Sequence, residues 1–177
     1  MKLREMLQEN RIEIGAEFGS KDEVLKALSG LQSDGDPQNT ALLNHEIQVR
    51  EKQGNSAVSG RVAIPCVRHS GADDTRISVV TLKKGVDYDA PDKRGVRLVF
   101  LIAGRDRCDE YIEVKSRLMH LLMDSEFTAR LCAAKSAEEF LEVFEERERI
   151  RYAPIKPDQR YDCSKFLERK YRKRRMK

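Results

Sequence analysis

Charged and apolar residues interleave through the opening MKLREMLQEN so as to predict a short helix over residues 2–9, and the apolar positions from Arg11 to Ile14 then alternate. Ser20 followed by Glu23 is a capping-box pattern, and Val24, Leu28 and Leu31 recur at helical spacing, giving a helix of about three turns. The stretch SDGDP ends it. Asp36 as N-cap and Pro37 at the first helical position start another helix, expected to carry Ala41, Leu42, Leu43 and Ile47 inward. Three strand-like runs follow: RVAIP at 61–65, RISVVTL at 76–82 and VRLVFLIA at 96–103. The last is apolar on both faces and is expected to be a central strand covered on both sides. From Asp109 the period returns to helical, with Tyr111, Val114, Leu118, Leu121 and Leu122 on one face. Ser125, and Ser136 paired with Glu139, are expected to open two more helices, bearing Phe127 and Leu131, then Phe140 and Phe144. Helices on either side of a set of strands predict a layered α/β (α+β) domain.

Composition narrows this further. The 177 residues suit one domain, and 40% apolar content is enough for a buried core. The longest unbroken apolar run, Leu98 to Ala103, is far short of the roughly 20 residues that span a bilayer. The opening also lacks the features of a secretory signal, so a cytoplasmic location is expected. Cys66, Cys108, Cys132 and Cys163 have no C-x-x-C spacing and are read as free thiols. The net charge of +4 is unevenly spread: residues 149–177 carry +9 and residues 1–148 carry −5. The chain therefore divides into a body, 1–148, and a basic C-terminal extension, 149–177. Such an extension is either a solvated end or an electrostatic contact for nucleic acid, an anionic membrane surface or an acidic partner. No helix-turn-helix or aromatic-stacking pattern accompanies it.

The order of short motifs carries a resemblance. KLREML, ALLNHEIQVREKQGNSAVSGRVAIPC, YDAPDKRGVRLVFLIAG and YIEVKSRLMHLLMDSEFTARLCAAKSAEEFLEVF together resemble the fructose, mannitol and nitrogen-regulatory class of enzyme IIA domains of the bacterial phosphotransferase system. The resemblance covers about residues 1–148. It implies a mixed sheet with helices on both faces, and a histidine directly after the Ala-Ile-Pro strand end that accepts phosphate from a small phosphocarrier protein. It implies as partners that carrier and a phosphotransferase or regulatory protein, and no cofactor. The arginine that helps hold the phosphate corresponds to Arg50, and its acidic neighbour to Glu51. The acceptor position is occupied by Cys66, and the position of the family's second histidine by Tyr111. Both departures point to a degenerate regulatory or sensor form; the alternative is an active carrier that uses Cys66.

Protein-to-protein phosphoryl transfer needs a nucleophile on a rigid element and positive donors around the phosphoryl oxygens. Arg50, Ser56, Cys66 and Arg68 supply that set. Arginine suits it because its planar fork binds two oxygens and stays charged. A thiol near Arg50 and Arg68 is expected to have a lowered pKa. Cys66 reads first as a small buried residue and after that as a redox or regulatory thiol or a phospho-acceptor, and Arg50 as a solvated charge or an ion-pair partner of Glu46 as much as a phosphate-pocket residue. His69, three residues after Cys66, makes half of a C-x-x-H metal pattern; two ligands are not a site, and no metal is expected. As an alternative acceptor, His69 stands up to ~10 Å along an extended chain from Cys66.

Overall fold

Alternation along the strand β5 (Val96–Arg105) decides how the chain is layered. In the computed structural model, which describes residues 2–58, 60–105 and 110–151, Leu98, Phe100 and Ile102 belong to one apolar cluster. Val99, Leu101 and Ala103 belong to the other. Each face of a strand with period two is thus committed to its own helices. One layer is α2 (Lys21–Gln32) and α3 (Pro37–Gln53), which bury Val24, Leu25, Leu28, Leu43 and Ile47. The other is α1 (Leu3–Met6), α4 (Glu110–Leu122), α5 (Ser125–Ala133) and α6 (Ala137–Arg151). In that layer Phe100 lies 6.1 Å from Phe140 and 6.4 Å from Phe144, ring centre to ring centre, in tilted geometry.

The sheet is mixed. β1 (Leu7–Ala16) runs parallel to β4 (Arg76–Val86), which runs antiparallel to β5. On the far side of β5 lie β2 (Val62–Ala63) and β3 (Cys66–His69), both parallel to it. The strand order is β1-β4-β5-β2, with β3 also on β5. This is the α/β architecture with helices on both faces of a mixed sheet. No helix among the described residues is long and apolar enough to cross a membrane.

Several local expectations are corrected. The opening helix spans only Leu3–Met6, because from Leu7 the backbone pairs with β4 and that long-range ladder overrides the local helical pattern. The run 61–65 is not one strand. Val62 pairs with Leu98 and Cys66 with Ile102 in the same register, but Ile64 N–H turns away to donate to Ser56 O at 3.0 Å and Pro65 has no N–H to give. Ala41 and Leu42 are exposed; α3 buries only the Leu43 and Ile47 line, one turn apart. Ser20 and Asp36 cap α2 and α3 as expected, whereas α5 is capped by Asp124, whose carboxylate accepts from Glu126 N and Phe127 N, so Ser125 is its first residue. Helix α6 runs to Arg151, past the boundary drawn at 148. Everything expected of Tyr152 to Lys177 lies outside the described residues, as does Cys108.

Candidate functional site

β3 is an edge strand whose one strand partner among the described residues is β5, and the helices α3 and α4 overhang it from opposite faces of the sheet. Between them is a groove of about 700 Å3. α3 contributes Val49, Arg50 and Gln53 to it, β3 contributes Cys66 and Arg68, and α4 contributes Tyr111, Ile112 and Lys115. A short connection from β5 into α4 makes this possible only because Gly104 has no side chain: a Cβ there would lie 2.6 Å from Tyr111 Cβ and 2.9 Å from its ring. Arg68 extends over that ring, its guanidinium carbon 5.7 Å from the centre.

Cys66 is half-buried, its Sγ 3.9 Å from Tyr111 O, to which the thiol donates. The lowered pKa expected of it is overturned. Burial pushes the thiol up to about 11, and the opposing charges of Lys115 and then Arg50 do not offset the loss of hydration. Lys115 is a residue the sequence reading missed; its one signal is its position four residues after Tyr111 on the same helix.

The structure brings Arg50, Cys66 and Arg68 together and leaves Glu51, Ser56 and His69 out of the groove. On a helix, consecutive residues are about 100° apart, so Arg50 and Glu51 point to different surroundings. Glu51 is buried, in an ion pair with Lys21 at 2.5 Å, and accepts from Ser56 N at 3.3 Å. The Lys21 ammonium also lies 5.1 Å from the centre of the Tyr88 ring. The Ser56 hydroxyl is buried without a hydrogen-bond partner among the described residues. His69 is three residues along a strand from Cys66 and so faces the opposite way. It is 3% exposed and locked under α3, with Nδ1 2.6 Å from Glu46 Oε2 and Nε2 2.8 Å from Asn39 Oδ1. Glu46 also accepts from the Ser70 hydroxyl at 2.8 Å, so it is engaged by β3 and the following turn, not by Arg50. Among the described residues no group of three or more His, Cys, Asp or Glu is placed to hold a metal ion.

Comparison with known proteins identifies the family and agrees with the fold. Residues 5–147 match the family model described as "Phosphoenolpyruvate-dependent sugar phosphotransferase system, EIIA 2". The chain is 31% identical over 151 residues to the nitrogen regulatory protein homolog of Haemophilus influenzae, covering 82% of this chain and 92% of that protein. It is 27% identical over 156 residues to the fructose-specific EIIABC component of Bacillus subtilis, of which it spans only 24%. The crystal structure of the nitrogen regulatory protein IIA-Ntr from Neisseria meningitidis superposes with a TM-score of 0.74 at 26% identity, covering 80% of this chain and 98% of that one. Matched along nearly all of its described length, with a mixed sheet and helices on both faces, the chain belongs to the EIIA 2 family of the phosphoenolpyruvate-dependent sugar phosphotransferase system.

Proposed function

We propose that this chain is a regulatory or sensor form of an EIIA component, which docks its phosphotransfer partners at the Cys66 groove without carrying a phosphohistidine there. The observation that carries the reading is the state of Cys66. It stands directly after the Ala-Ile-Pro strand end, where the family resemblance calls for the acceptor histidine, and its pKa of about 11 leaves only about one thiol in ten thousand ionised at pH 7. A protonated thiol is a poor nucleophile. The flanks of the groove suit docking instead: Val49 and Ile112 are exposed apolar residues on either side of a floor that carries Arg50, Arg68 and Lys115. The partners that fit are the small phosphocarrier protein and a phosphotransferase or regulatory protein, each presenting an anionic phosphoryl group or acidic rim. The nitrogen-regulatory relatives support the regulatory side of the proposal.

Phosphoenolpyruvate with the general carrier proteins, followed by intact-mass measurement, tests this: the chain is expected to gain no phosphoryl mass. Stoichiometric phosphohistidine would sink it. A second reading rests on Lys115 and Arg50, whose charges favour the thiolate. In it, Cys66 Sγ attacks the carrier's phosphohistidine, an S–P bond forms as the N–P bond breaks, and the thiol proton passes to the departing imidazole. Phosphocysteine mapped to Cys66, and lost in Cys66→Ser, would select that reading.

A further inference from the structure

A second groove, of about 720 Å3, shares no residue with the Cys66 site. It lies where β2 meets the end of α4 and the start of α5. Its floor is aliphatic and sulfur-bearing: Val62, Ile64, Leu122, Ala129 and Cys132, with Met119 and Met123 at the margin. Met123 is 83% exposed and Met119 39%, a large unpartnered apolar surface for a helix end. Three arginines, Arg61, Arg94 and Arg97, line the same space, and among the described residues no Asp or Glu does. Arg97 is fixed by Nε–H donation to Leu82 O at 3.1 Å. Asp92, beside the rim, is engaged by the amides of Gly60 at 2.9 Å and Arg94 at 3.2 Å.

From this juxtaposition we infer that the β2–α5 groove is a binding site for a small anionic amphiphile, with an aliphatic body on the aliphatic floor and its methionine margin and a phosphate or carboxylate head on the arginines. The volume is that of ordinary ligand clefts, about 300–1,000 Å3. Arginine forks suit a phosphate or carboxylate head better than any other side chain does. Methionine adapts to a flexible aliphatic body. A nucleobase is disfavoured, since among the described residues no aromatic ring lines the groove. The chain's own basic extension is also disfavoured, because it carries the same sign of charge as the rim. Cys132 is a built-in reporter. Its thiol is free and half-buried, its pKa is raised by burial, and Arg97 and Arg61 are near enough for their charge to oppose that rise.

The test is titration of the full chain, labelled with 13C at methionine methyls, with dodecyl phosphate below its micelle-forming concentration. Saturable shifts are expected at Met119 and Met123 and not at Met6, with slowed alkylation of Cys132 and unchanged alkylation of Cys66. Arg94→Ala, at an exposed position, should weaken binding by about tenfold. Inorganic phosphate and the uncharged dodecyl maltoside should each bind at least about tenfold more weakly than dodecyl phosphate, since each offers half of the recognition. Cys66→Ser should bind as the unaltered chain does, which separates this site from the proposed docking groove. Equal binding of the maltoside, unsaturable shifts, protection of Cys66 in place of Cys132, or binding seen only with vesicles containing phosphatidylglycerol would each overturn the assignment.

Discussion

Cys66 and His69 sit three residues apart on one short strand and meet opposite fates. The thiol is half-buried between a carbonyl and two cations, and because desolvation dominates, its ionised fraction grows only as pH approaches about 11. Its iodoacetamide reaction rate should therefore climb steadily from pH 8 to 11, and Lys115→Ala, which removes the larger opposing charge, should move the curve to higher pH. A plateau below pH 9 would contradict this. His69 is held by carboxylate and amide oxygens on its two nitrogens, so His69→Ala removes a side-chain partner from both Glu46 and Asn39 on α3, while Glu46 keeps Ser70. The expected loss is about 1–3 kcal/mol in urea unfolding, with no effect on the alkylation of Cys66. The position of Cys66 at a strand end beside Arg50 was legible from the order of motifs. The sign of its pKa shift was not, since it depends on how far α3 and α4 cover the thiol, which no local spacing encodes.

At the level of elements, the sequence foretold those whose signals are local. The Ser20 and Asp36 caps, the Phe140 and Phe144 face of α6 and the doubly covered β5 all follow from spacing a few residues long. It misread those whose form depends on distant partners: β1, made by pairing with β4, and the β2 to β3 line, interrupted where Ile64 bonds to Ser56. The most sensitive joint is β5 to α4. Gly104→Ala places a methyl group against the Tyr111 ring and backbone-proximal Cβ, which overpacks the joint and should cost about 1–3 kcal/mol. Adding Tyr111→Ala should recover only the ring's share of that loss, because it removes the ring atoms 2.9 Å away and keeps the Cβ at 2.6 Å; a double variant no more stable than Gly104→Ala alone would show that the ring contact is not the cause. The same displacement of α4 should alter the alkylation rate of Cys66, whose thiol donates to Tyr111 O.

Across the whole molecule, a carboxylate at the margin of one apolar cluster ties the first helix of the described residues to the last. Glu148 on α6 is 6% exposed and accepts Leu3 N at 2.7 Å and Arg4 N at 3.0 Å, satisfying amides at the start of α1 that have no helical partner. Glu148→Ala should cost about 2–3 kcal/mol in denaturant unfolding and Glu148→Gln less, since the amide oxygen keeps one bond. Equal stability of all three chains would remove Glu148 from this role. The contact spans 145 positions, so no sequence window could reveal it, just as the opposite charges of body and extension, plain in the composition, do not say what either touches. The contact also has a bearing on modularity. Because Leu3 and Glu148 meet, the span from residue 3 to residue 148 starts and finishes side by side, the shape in which a folded unit can be set into another polypeptide as a cassette without stretching that polypeptide's own path.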